Sequence, residues 1–248
     1  MDPASLSALW TDRAERLRAD DSVPVVMADP DIAPRGTVLL IHGRNGAPGQ
    51  VQIAVIAEAY LARGWRVVAP ELPNSIALPA SGPAERLTMN GLRRAAAEVM
   101  GWTRARWPEA PLALAGHSLG GFAIGHLGAE IGTAHHLLAA SPVLSGPRLL
   151  AARVAMGPPA VAALEREVPL LRAEMEAEDA APALARVACP LGVITGAEDG
   201  IVPLSDARAY FNAAPDGCFF GALPGQNHCP SGPDVAAMLD VALAALGA

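Results

Sequence analysis

A chain of 248 residues, 52% hydrophobic and 17% charged, is long enough to bury a sizeable core and fits one α/β domain over 1–248. The formal net charge of −7, with no dense cluster of Lys and Arg, excludes the electrostatic footprint of a nucleic-acid-binding protein. No apolar run reaches the roughly 18 residues of a membrane span, and the opening MDPASLSALWTDRAERL has no apolar stretch of the kind a secretory signal needs, so the expected location is the cytoplasm.

Strand-like and helix-like stretches alternate along the chain, with Gly and Pro between them. SVPVVMA (22–28) reads as an antiparallel edge strand, and TVLLIHG (37–43) as a buried strand ending at glycine. Residues 49–63 place Val51, Ile53, Ile56, Tyr60 and Leu61 on helical spacing, and Gly64 follows as a stop. WRVVAP (65–70) is a strand, and 82–107 carries a long helical pattern closed by Pro108. PLALAG (111–116) is a strand, LGGFAIGHLGAEIG (119–132) a helix, and HHLLAAS (135–141) and PLGVITG (190–196) are further strands. A helix over 204–214, a strand over 218–223 and a last helix over 233–246 complete the series. Near-continuous apolar strands between helices imply a mostly parallel sheet of about seven to eight strands covered by helices on both faces.

Residues 142–188 break the rhythm. They hold no strand, only helical stretches interrupted by Pro, with apolar Leu149, Leu150, Val154, Met156, Val161, Leu164 and Val168. So long a connection is unusual inside a compact domain. It is read as a small helical insertion, either extra packing for the helical layer or a cap over a pocket.

The stretch LALAGHSLGG (112–121) carries the chemistry. A serine hydroxyl is a weak nucleophile until a base takes its proton. A strand before Ser118 and a helix after it would thrust the side chain out at the strand's C-terminal end, with Gly116 and Gly120 leaving room for the sharp turn. The base should sit late in the chain on a loop after a strand, which GALPGQNHCPSG provides as His228. His126, His135 and His136 lie where no route to such a site is evident. The acid that orients the imidazole should follow a strand between serine and histidine. VITGAEDGIVP offers Asp199, the stronger candidate because it sits at the turn before the next helix, with Glu198 as the alternative. Backbone N–H groups must face the oxygen that gains charge. Leu119, at a helix N-terminus, supplies one; the loop after TVLLIHG supplies the other at Arg44, with Asn45 second. Gly43, Asn45 and His117 flank these positions and are the expected substrate contacts. HGRNGAPG lacks the G-K-[S/T] ending of a phosphate-binding loop.

In these pieces, LLIHG, GHSLGG, TGAEDGIVP and GQNH in that order, the chain resembles the α/β-hydrolase superfamily from about residue 22 to its end. HGRNG is similar to the HGRGG loop of carboxylesterase-like and dienelactone-hydrolase-like branches, and GHSLGG to that of lipases and thioesterases. The resemblance implies a triad of Ser118, Asp199 and His228, oxyanion donors at Arg44 and Leu119, and a cap at 142–188. It implies a serine hydrolase of carboxylesterase type acting on a small-molecule ester or thioester through an acyl-enzyme. Amide, C–C bond, acyl-transfer or cofactor-free haloperoxidase chemistry would need the same residues, and a ligand-binding protein with little turnover is the alternative from another class. No metal or cofactor is called for. Cys189, Cys218 and Cys229 are odd in number and lack C-x-x-C spacing, against a disulfide framework or a zinc site. Neither a nucleic acid nor a membrane span is expected, and the composition is compatible with a homodimer. An Arg44 side chain turned inward would meet a substrate carboxylate.

Overall fold

Eight strands form a single sheet in the order β1-β2-β4-β3-β5-β6-β7-β8. The structure is a computed structural model and describes residues 10–20 and 22–248. The strands are β1 (Glu15–Ala19), β2 (Val23–Ala28), β3 (Gly36–Ile41), β4 (Trp65–Pro70), β5 (Leu112–His117), β6 (Leu137–Ala140), β7 (Leu191–Gly196) and β8 (Gly217–Leu223). β3 to β8 run parallel, while β2 lies antiparallel to β4 and β1 antiparallel to β2.

Alternation within the apolar strands divides the core in two. Leu39 and Ile41 of β3 and Leu114 of β5 join one buried cluster; Val38, Leu40, Ala113 and Ala115 join the other. Helices α2 (Met89–Arg106), α3 (Leu119–Ile131) and α8 (Leu204–Ala213) pack on the first face. Helices α1 (Val51–Ala62) and α9 (Pro233–Ala245) pack on the second. This two-faced burial is why the parallel strands read as continuous apolar runs rather than as alternating ones.

Two expectations need correction. The strand at 22–28 is antiparallel but is not at the edge, because β1 takes that place. The sequence of β1, ERLRA, has only Leu17 and Ala19 to turn inward: Glu15, Arg16 and Arg18 lie along an exposed margin, as edge strands favour, and Arg16 pairs with Glu71 at 2.8 Å. The helical pattern over 82–107 is also not one helix. A 3₁₀ turn at Ala84–Arg86 gives way to extended Leu87, and α2 starts after Thr88, whose hydroxyl accepts the Gly91 N–H at 2.8 Å.

The insertion between β6 and β7 is helical. It comprises α4 (Gly146–Ala155), α5 (Pro158–Glu167), α6 (Pro169–Glu174) and α7 (Ala181–Leu184). Leu164, Val168, Leu171, Met175 and Leu184 are buried in the same cluster as α3. At roughly 1.5–3 kcal/mol for each large apolar side chain, this burial holds the segment firmly against the sheet's helical layer. Polar ties add to it: Asn90 of α2 donates its backbone N–H to Glu174 at 3.1 Å and its side-chain amide to Glu178 at 2.6 Å. Val154 and Met156 face solvent instead, at 60% and 51% exposure.

Candidate active site

The carboxyl ends of the parallel strands converge at one rim, where open α/β sheets bind ligands. Ser118 follows β5, the loop carrying Arg44 follows β3, Asp199 lies beyond β7 and His228 beyond β8. Ser118 takes φ +58° and ψ −119°, a conformation that strains any residue with a Cβ. Neighbouring bonds over-determine it. The Ser118 N–H donates to the Ala140 carbonyl at 3.0 Å, and its own carbonyl accepts from Gly121 at 2.9 Å and Val143 at 3.1 Å. The glycines are sterically required. A Cβ on Gly116 would collide with the Gly120 backbone, and one on Gly120 with the Ile41 carbonyl oxygen. On Gly121 it would come within 2.6 Å of Pro142. Tyr210 of α8 donates its buried hydroxyl to the Gly121 carbonyl at 2.7 Å, bracing the same turn.

The Ser118 Oγ lies 2.9 Å from His228 Nε2, and His228 Nδ1 lies 2.8 Å from Asp199 Oδ2. An ionised carboxylate only accepts, so Nδ1 carries the proton and the lone pair of Nε2 faces the serine hydroxyl. The other Asp199 oxygen accepts the N–H groups of Ile201 at 2.8 Å and Val202 at 2.9 Å, and the side chain is fully buried. Both carboxylate oxygens are thus engaged, which fixes the direction in which the acid holds the ring. Glu198 is exposed and does not reach the imidazole; it accepts the Gly225 N–H at 3.1 Å, tying the start of the histidine loop.

The loop after β3 is held by His42, to which the sequence pattern alone assigned no role. His42 Nδ1 lies 2.8 Å from the Gly43 carbonyl oxygen, and its Nε2 accepts the Leu72 N–H at 3.1 Å. A carbonyl can only accept and an amide N–H only donate, so the ring is neutral with its proton on Nδ1. Burial keeps it so, pushing its pKa down to about 4 against the opposing effect of the Gly43 bond. The carbonyl of Gly43 also accepts the Gly46 N–H at 3.0 Å. Because the peptide is trans, anchoring this carbonyl turns the Arg44 N–H the other way. Among the described residues, the backbone N–H groups of Arg44 and Leu119 donate to no protein acceptor, and both residues line the same cavity as Ser118. Gly43 approaches the serine so closely that a Cβ there would stand 2.7 Å from Ser118 Cβ. His117 lines the cavity with its ring nitrogen committed elsewhere: Nε2–H donates to the His228 carbonyl at 2.8 Å. Burial, then the neighbouring His228, push its pKa down to about 3, so it stays neutral and holds the loop in place.

The cavity measures about 490 Å³. Its floor contains Gly43, Arg44, Asn45, His117, Ser118, Leu119 and His228, which takes in every expected site residue except the buried Asp199. Its opposite wall comes from the insertion: Leu149, Arg153, Leu164, Leu171 and Met175. Of these, Leu149 and Leu164 were visible in the sequence as apolar positions of the insertion. Arg153, Leu171 and Met175 were not, because nothing local distinguishes a residue facing a cavity from one facing another helix. Among the described residues, no helix is long and apolar enough to cross a membrane.

Solved structures match this fold along nearly the whole chain. Est1E from Butyrivibrio proteoclasticus superposes with a TM-score of 0.72 at 15% identity, covering 95% of this chain and 99% of its own. The chain has the α/β-hydrolase fold. TT1662 from Thermus thermophilus matches with a TM-score of 0.67 at 24% identity, over 95% of this chain and 96% of its own. An alpha-beta serine hydrolase homologue from Coxiella burnetii matches with a TM-score of 0.63 at 14% identity, over 96% and 97%. No protein-family model matches the sequence, and no curated protein does.

Proposed function

We propose that this protein is a serine hydrolase that cleaves carboxylic ester or thioester bonds of small or medium acyl substrates through an acyl-enzyme. The observation that carries the reading is the unbroken series Asp199–His228–Ser118, with contacts of 2.8 and 2.9 Å. Ser118 attacks the acyl carbonyl while His228 Nε2 takes the hydroxyl proton. The imidazolium that results is stabilised by Asp199, which stays ionised. The tetrahedral oxygen gains its negative charge in front of the Arg44 and Leu119 N–H groups, whose directions are set before substrate arrives. His228 then protonates the leaving alcohol or thiol, and water repeats the sequence to free the acid. The insertion acts as a cap, its apolar wall receiving the hydrocarbon part of the substrate. Support comes from the fold it shares with a protein described as a serine hydrolase homologue.

The test is turnover of a graded panel of p-nitrophenyl esters and acyl thioesters, with Ser118→Ala as blank. Sustained product release by the wild type, lost by about 10⁴-fold or more in the variant, is expected. Equal rates in the two proteins, or a single stoichiometric release without turnover, would contradict it.

A further inference from the structure

The cavity has a charge pattern the chemistry above does not use. The chain as a whole carries more acid than base, 25 Asp and Glu against 18 Lys and Arg. Yet the described residues lining the cavity include no Asp or Glu and two arginines, Arg44 from the loop after β3 and Arg153 from α4. The two belong to different elements and stand close enough for the charge of Arg153 to act on Arg44. Each is partly withdrawn from water, and burial followed by the neighbouring Arg153 charge lowers the Arg44 pKa, with Glu167 opposing.

The counter-charge near these arginines stands outside the cavity lining. Glu167 at the end of α5 stands 3.5 Å from Arg44, but it is 38% exposed and also contacts Arg166 at 3.2 Å. Asp199 lies outside the cavity lining, bonded to His228 and two backbone N–H groups, and acts on Arg153 only through its charge, as Glu167 also does. Among the described residues, the Arg153 Nε is buried without a hydrogen-bond partner, and its terminal nitrogen meets the weak acceptor Met156 Sδ at 3.9 Å. The remaining polar side chains, Asn45, Gln50, Gln52 and the neutral His117, neutralise nothing. Two guanidinium groups thus line a space that has no carboxylate in its own lining and is otherwise walled by Leu149, Leu164, Leu171, Met175 and Ile201.

We infer that the cavity selects esters carrying a carboxylate, which sits between Arg44 and Arg153 while the apolar body lies against the insertion and the scissile carbonyl against Ser118. The inference rests on the reading of Ser118 as nucleophile and adds the substrate class. A guanidinium suits this task because its planar fork of donors matches a carboxylate, and a second one supplies the charge that Glu167 removes from the first. The carboxylate can belong to the acyl half, as in a dicarboxylic acid monoester, or to the alcohol half, as in an acylated hydroxy acid.

Paired substrates test it. Mono-p-nitrophenyl glutarate is compared with its methyl-capped neutral twin for the acyl side, and acetylated 4-hydroxybenzoate with its methyl ester for the alcohol side. In at least one pair, kcat/KM favours the anion by tenfold or more. Arg153→Met reduces that ratio to near one, Arg153→Lys restores part of it, and Glu167→Gln raises it. Equal kcat/KM within both pairs, or a ratio that Arg153→Met leaves intact, would overturn the inference while Ser118-dependent turnover of the neutral esters left the hydrolase reading standing. Calorimetric binding of the same pairs to Ser118→Ala reads the charge selection without turnover. There the anion binds at least tenfold tighter, and equal affinities would overturn the inference even if no ester were hydrolysed.

Discussion

The two walls of the cavity are built on different principles. The sheet-side wall is shaped by backbone: glycines too crowded to carry a Cβ, a serine at φ +58°, and anchored carbonyls such as those of Gly43 and Ser118. The insertion-side wall is made of side chains, Leu149, Leu164, Leu171 and Met175, presented by short helices. The first tolerates almost no change of shape, since its geometry is fixed to fractions of an ångström. The apolar part of the second needs only bulk of about the right size. Chemistry is therefore expected to depend on the first wall and selection among substrates on the second.

Substitutions should separate the walls. The largest effect is expected from Asp199→Asn, which keeps the size of the side chain but no longer fixes the proton on His228 Nδ1. It should lower kcat by about 10⁴-fold, equivalent to about 5.5 kcal/mol of barrier, measurable on any ester the wild type turns over. Next comes Gly120→Ala, where the added methyl meets the Ile41 carbonyl oxygen. A loss of at least about 3 kcal/mol in denaturant unfolding is expected, with inactivity in whatever folds. Across the cavity, Leu171→Ala removes a fully buried side chain from the insertion. It should cost about 2–4 kcal/mol and shift the preferred acyl length upward as the cavity enlarges. A Leu171→Ala protein as inactive as Asp199→Asn would erase the distinction between the walls.

The smallest effect per group is a pH dependence that belongs to the sheet side. His42 and His117 are held neutral by burial, with pKa values lowered to about 4 and about 3. In the unfolded chain they titrate near 6.5, so between there and their folded values the unfolded state binds more protons. Stability is accordingly complete above about pH 6.5 and falls as the pH drops toward 4. The loss is on the order of 2 kcal/mol per group at pH 5. His136, buried near Tyr60 and lowered to about 3, adds to it. A denaturation midpoint that holds steady from pH 7 to pH 5, or rises on acidification, would contradict these assignments.

The same contrast explains what was legible in the sequence. The sheet-side wall is written in short local signals. Gly116, Ser118 and Gly120 lie within five residues, and Asp199 and His228 each sit just past a strand, so the parallel sheet puts the side chains of Ser118, Asp199 and His228 at one rim and the loops close the distance. The ring of His42 escaped notice because its partners, Gly43 and Leu72, are joined by a fold contact rather than by spacing. The insertion was visible as a segment, but not which of its residues turn inward. Val154 and Met156 are as apolar as Leu171 and Met175, yet the first two are exposed and the last two buried. The edge strand β1 was missed because three of its five side chains are charged, leaving only Leu17 and Ala19 to pack inward beside the backbone pairing with β2.

The central claim is that the hydroxyl at position 118 is made nucleophilic by the imidazole behind it. Labelling with a fluorophosphonate probe, read by intact mass and peptide mapping, tests this without any assumption about substrate. A single adduct on the peptide containing Ser118, absent from Ser118→Ala and formed at least a hundredfold more slowly in His228→Ala, is the expected result. An adduct of equal yield on Ser118→Ala, or labelling of Ser118 at the wild-type rate once His228 is gone, would contradict it.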